Sequence, residues 1–110
     1  MRLAVLAMLA VAVAAWTPAL AEESTAGCVA DMIGRAPAPV AQFIRRSQAC
    51  LRFNGDEPMS PRQARSPRTP RAIRDLHCDR LQPDDHAMRR RFAHNAEAMR
   101  AMDQNDKELC

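Results

Sequence analysis

Tyrosine is absent from this 110-residue sequence, lysine occurs once, glycine three times, and the single tryptophan stands at position 16. Each shortage excludes something. Without aromatics interleaved among its basic residues the chain lacks the stacking platforms of single-stranded nucleic-acid binders, and nucleic acid is not an expected partner. Gly27, Gly34 and Gly55 form neither a phosphate loop nor a nucleophile elbow, and there is no His-Glu-x-x-His, so no nucleophile and base pattern points to an enzyme and no cofactor is implied. No Cys-x-x-Cys occurs and the nearest two cysteines have 21 residues between them, which argues against a redox-active pair. After Trp16 there is no further long apolar run, so nothing later in the chain is expected to span a membrane.

What is present at the amino end reads as a secretory leader. Met1-Arg2 is a minimal positive region, Leu3 to Trp16 is 14 apolar residues, and Ala19-Leu20-Ala21 offers a small-x-small cleavage site before Glu22-Glu23. The expectation is a cleaved signal peptide over 1–21 and a single helical domain over 22–110, periplasmic or secreted. Fifteen arginines to one lysine and abundant alanine suggest a G+C-rich bacterial coding sequence. Two rivals stand beside this: a lipoprotein signal ending at Thr25-Ala26-Gly27-Cys28, with Thr25 where leucine is usual, and a secreted precursor cut at Arg45-Arg46 or Arg89-Arg90-Arg91.

Once the leader is set aside, 89 residues remain, and only 12 of them are Leu, Ile, Val or Phe. That is below the ~20% expected of an ordinary core. All four cysteines, Cys28, Cys50, Cys78 and Cys110, lie in this part and read as a disulfide framework that tips a marginal balance. Three pairings are possible. Cys28 with Cys50 would staple a first hairpin, and Cys28 with Cys78 would suit an up-down bundle. The pairing of Cys50 with Cys78 and Cys28 with Cys110 is favoured, because the proline-rich connection between them needs a clamp across its flanks.

Periodicity predicts an all-α bundle of three to five short helices with a Pro/Arg-rich loop over 56–69 between the second and third. A first helix spans Cys28 to Gly34. A second runs from Pro39 to Asn54-Gly55, with Val40, Phe43, Ile44, Ser47, Cys50 and Leu51 on one stripe. Ser60-Pro61 can open a single turn to Arg65, with Gln63 completing a capping-box pattern. A third helix is expected over Pro70 to Leu81 and a fourth from Pro83, its stripe carried by Met88, Phe92, Ala96, Met99 and Met102. Asn95 either caps a separate last helix or is crossed by a continuous one.

Arg62, Arg65, Arg68, Arg71 and Arg74 recur every third residue. On a three-residue-per-turn extended path they would point one way and grip an acidic protein or another acidic envelope component; as a solvated loop they would do nothing. The function expected is therefore a small exported non-enzymatic interaction protein, an inhibitor or stress-binding factor of the bacterial envelope, with unknown partner. The alternative is an envelope metal or ligand carrier using His77, His86, His94 and the methionines, although their spacing specifies no metal site. Acids at Asp79, Asp84 and Asp85 are read as helix-terminus charges, and so short a helical chain is not expected to enclose a pocket of ~300 Å³. The cross-linked protein should show helical circular dichroism and a cooperative melt, and reduction with dithiothreitol at about 37 °C should abolish most of it, since so few apolar residues do not offset the ordering entropy unaided. Helical content that survives reduction would sink that expectation.

Overall fold

The structure, a computed structural model, describes the backbone of residues 19–110 and the side chains from Thr25 onward. The positive and apolar regions read as a leader, residues 1–16, lie outside the described residues. Six α-helices follow in order: α1 Ala19–Ile33, α2 Ala38–Phe53, α3 Pro61–Arg65, α4 Arg71–Arg74, α5 Leu81–Arg91 and α6 Ala96–Lys107, with a 3-10 turn at Cys78–Arg80 before α5. Four of them have 11 or more residues and two are single turns. Among the described residues there is no strand, and no helix is long and apolar enough to cross a membrane.

The apolar residues are divided between two clusters. Val29, Met32 and Ile33 of α1, Val40, Phe43 and Ile44 of α2, and Ala98, Ala101 and Met102 of α6 form the larger one, with Met88 and Phe92 at its flank. Alanines on α6 let the three helix axes approach closely. The smaller cluster is Cys50, Met59, Ala64 and Cys78, bordered by Ile73 and Leu76, and Leu81 touches both. Disulfides join Cys50 to Cys78 and Cys28 to Cys110, closing 28 and 82 residues of sequence. In the chain-entropy account these closures contribute about 3.5 and about 4.5 kcal/mol. With its thiol committed to Cys110, Cys28 has no sulfur left for a lipid. Arg45-Arg46 falls inside α2, where a processing enzyme would have to unwind the helix first.

A buried amide supports the longer bridge. Gln48, 1% exposed on α2, donates through Nε2 to Asn105 Oδ1 (2.9 Å) and to the Glu108 carbonyl (2.8 Å), and its Oε1 accepts from the Cys110 N–H (2.8 Å). Asn105 in turn donates to Ser47 Oγ at 3.2 Å. The chain end after α6 is thereby fixed beside Cys28. At the other end of α1 the chain turns through Gly34, at φ +54°, where the Arg100 guanidinium covers the glycine and Nη2 reaches the Met32 carbonyl at 3.4 Å. A β-carbon there would sit 2.5 Å from that nitrogen, so glycine suits both the left-handed angle and the contact.

Several boundaries differ from expectation. α1 is already helical at Ala19, where the described residues begin, rather than only from Cys28, since Ala, Leu and Glu are strong helix formers. The helix expected over Pro70 to Leu81 stops at Arg74. Leu76 and His77 donate to carbonyls only three residues back, His77 turns left-handed (φ 51°), and Cys78 is thereby delivered to Cys50. Local propensity yields to the cross-link. α5 begins at Leu81, which puts Pro83 at its third position, still within the turn whose N–H groups have no helical acceptor. Asn95 does cap a separate α6, its Oδ1 accepting from the Ala98 N–H at 3.0 Å. That break changes the phase: α6 buries Ala98, Ala101, Met102 and Asn105, while Ala96 is exposed.

Cys28 and Cys110 are half-buried, whereas Cys50 and Cys78 are only 1% and 3% exposed. Attack by an external thiolate requires access to sulfur. Under limited dithiothreitol Cys28–Cys110 should therefore open first, as alkylation and mass spectrometry would show, and Gln48→Leu should speed that opening while lowering stability by about 2 to 3 kcal/mol. Simultaneous loss of both bridges would refute the order.

Candidate functional site

The arginine-rich segment is ordered, and it is not extended. Met59, 6% exposed, anchors its start in the smaller cluster, and Ser60 Oγ accepts from the Gln63 N–H at 3.1 Å to cap α3. The other half of the capping box is not made, because Gln63 Nε2 donates instead to Asn54 Oδ1 at the end of α2. Thr69, also buried, donates from Oγ1 to the Gln63 carbonyl at 2.7 Å and so folds the end of the loop back on α3. The three-residue arginine repeat thus lies on two helical turns and the bend between them, in place of the expected polyproline path.

Arg62 and Arg65 are on α3, Arg68 in the bend and Arg71 on α4, all exposed. Arg65 Nε donates to the Pro61 carbonyl at 3.2 Å, and Arg71 stands 3.9 Å from Asp75 with both side chains mostly in solvent. Arg62 and Arg68 have no carboxylate within 4 Å among the described residues. Arg74 differs from the others: it is half-buried, and its Nε is enclosed with no acceptor among the described residues. Four of the five arginines are therefore exposed along one ordered segment, the α3–α4 edge.

The sequence pattern did not single out Phe53. It lies off the apolar stripe of α2, is 44% exposed, and immediately precedes Asn54, the residue tied to α3. An aromatic ring outside the stripe of an amphipathic helix was the available signal. Beside Arg52, which is also exposed, it adds an apolar surface next to the cationic edge.

The histidines and methionines are dispersed. His77 lies in the turn before Cys78, His86 on α5 and His94 between α5 and α6, all exposed. Met32, Met59 and Met102 are buried core residues, with Met88 and Met99 half-buried. Among the described residues no three His, Cys, Asp or Glu side chains are grouped to hold a metal ion.

Acids expected only to flank helix ends form specific pairs. Asp84 accepts from Arg46, whose guanidinium also lies 5.6 Å from the Phe43 ring centre. Arg89 does more than complete an i,i+4 pair with Asp85 (2.9 Å), because it also reaches Asp103 (2.6 Å) and Asp106 (2.7 Å) on α6. One cation thus serves three carboxylates. The hydrogen bond to Asp103 leads in holding Arg89 charged more firmly than an ordinary arginine. Burial pushes the Asp106 carboxyl above its ordinary value, against the attraction of Arg89 and with help from Asp85 and Asp103. The surface carries grooves open to solvent rather than enclosed cavities, at about 550 Å³ between α1 and α2, 570 Å³ between α2 and α5 near Cys78, and 430 Å³ beside Arg46.

Comparison of the chain with known protein families, curated proteins and solved structures found no match.

Replacing Arg89 by methionine should lower stability by about 1 to 2 kcal/mol at neutral pH, since three carboxylates then face one another. The loss should shrink as acid protonates them. Asp106, although paired with Arg89, is shifted opposite to the usual ion-paired carboxylate. Its raised value means that its share of stability is complete below 3.8 and declines as pH rises through the folded-state value. Asp106→Asn should then be no less stable than the parent at pH 7, and denaturant melts at neutral and acid pH that show a large neutral-pH loss would contradict the assignment.

Proposed function

We propose that this is an exported, non-enzymatic interaction protein that docks an acidic protein face on the α3–α4 edge, in the bacterial envelope. One observation carries the reading: Arg62, Arg65, Arg68 and Arg71 are exposed on ordered backbone, and only Arg71 has a described carboxylate within 4 Å. Arginine forks held on folded backbone lose less entropy on binding than the same residues on a floppy arm. Phe53 supplies an apolar anchor of the kind that accompanies arginine in binding hot spots. Export rests on the leader pattern of residues 1–21 and is supported by two disulfides, which persist in oxidising compartments.

Capture from envelope extract tests it. Immobilised protein should retain an acidic partner that elutes between roughly 50 and 300 mM salt, as screening overtakes exposed charge contacts. Arg62→Glu, Arg65→Glu, Arg68→Glu and Arg71→Glu together should abolish retention. Phe53→Ala should weaken it severalfold while changing stability by no more than about 0.5 kcal/mol, because the ring is largely exposed. Retention unaffected by reversing four charges would overturn the assignment.

A further inference from the structure

The groove of about 570 Å³ is the chemical complement of the arginine edge. Phe43, Leu51, Met59 and Leu81 supply its apolar surface, Asp79, Asp85 and Asp106 its charge, and neither lysine nor arginine lines it. A guanidinium on an alkyl stem suits such a site, since the stem covers apolar surface while the fork meets carboxylates. We propose that this groove receives the arginine edge of a second copy of the chain, the two copies exchanging the contact about a two-fold axis. The inference rests on the α3–α4 edge being a docking surface, and it names one occupant for it.

Four further observations support a second copy as occupant. The groove is short of cations: Asp79 has no ion pair among the described residues, and Arg89 is shared by Asp85, Asp103 and Asp106, whose mutual repulsion contributes to the raised Asp106 value. The edge and the groove adjoin, because Met59 lines the groove and the next residue, Ser60, caps α3. Adjacent complementary patches on one chain allow each copy to donate and receive in a single closed contact. The edge does not fold into its own groove, since the Cys50–Cys78 bridge and the Thr69 and Gln63 hydrogen bonds fix it, and none of its arginines pairs with Asp79, Asp85 or Asp106. A formal net charge of only +3 offers little repulsion between copies.

Charge swapping tests the pairing. Sedimentation velocity of the oxidised protein should show a dimer at about 25 mM salt that weakens at least about tenfold by about 500 mM, as the screening length falls from ~20 to ~4 Å. Arg62→Glu with Arg68→Glu should make one monomeric variant, and Asp79→Lys with Gln82→Lys, on the groove wall, a second. Mixed together they should form a heterodimer, because reversed edge then meets reversed groove and native edge meets native groove. A mixture as monomeric as its components, or an unmodified protein that is monomeric at low salt, overturns the pairing. Dimers indifferent to edge reversal would also overturn the pairing, whereas capture of a different acidic protein that is lost on edge reversal would leave the edge reading intact. If either variant loses its helical circular dichroism, the salt series on the unmodified protein decides alone.

Discussion

Covalent closure at Cys28 and Cys110 determines what the remaining contacts have to accomplish. The bridge joins α1 to the segment beyond α6, across 82 residues, and so holds the first and last helices near one another whatever their side chains contribute. Three helices then need only a thin apolar layer between them, which Val40, Ile44, Met32, Ala98, Ala101 and Met102 fill with almost no exposure. Gln48 fits the same geometry. A buried amide is costly unless all its groups are partnered, and this one is satisfied by the segment that the bridge delivers, so bridge and amide stabilise the same arrangement.

The second bridge does for the arginine edge what the first does for the bundle. A cluster of Met59, Ala64 and two cysteines is too small to order a proline-rich segment by burial alone. Cys50–Cys78 fixes the two ends of that segment to α2 and α5, after which short-range caps at Ser60 and Thr69 suffice to set its path. The edge is therefore exposed in its side chains and constrained in its backbone. That combination is what the proposed docking role requires, and it depends on the disulfide in the cluster from which the segment starts.

Much of this was legible in the residues. The apolar stripes of α1 and α2 and the turn at Ser60 follow from local rules that tertiary structure did not oppose, the cap at Asn95 was one of two open readings, and the cysteine pairing followed from asking which segment could not hold itself. Two of the departures share one cause. The chain leaves the helical path at His77 to bring Cys78 to Cys50, and α6 rotates its buried face to Ala98 and Met102 after the break at Asn95. Both depend on contacts 28 or more residues away, to which periodicity is blind. Gln48 was missed because a polar residue beside an apolar stripe looks solvent-facing until the chain end is seen to cover it. The arginine spacing was visible, but its meaning changed, because a three-residue repeat on two helical turns and a bend distributes charge differently from the same repeat on an extended path.

The excess of arginine over lysine acquires a structural reading as well. Arg89 uses three separate nitrogens for Asp85, Asp103 and Asp106, and Arg100 reaches Gln104, Glu97 and the Met32 carbonyl from one side chain. A lysine ammonium, a compact and strongly hydrated point charge, does not span such separated acceptors. In a chain with few apolar residues, multidentate guanidinium contacts between α5 and α6, and between α6 and the end of α1, supply orientation that packing alone would leave loose. The same chemistry left exposed on α3 and α4 has its hydrogen-bonding capacity largely unspent. Buried-contact and exposed arginines thus differ less in kind than in whether the fold has already brought carboxylates or carbonyls to them.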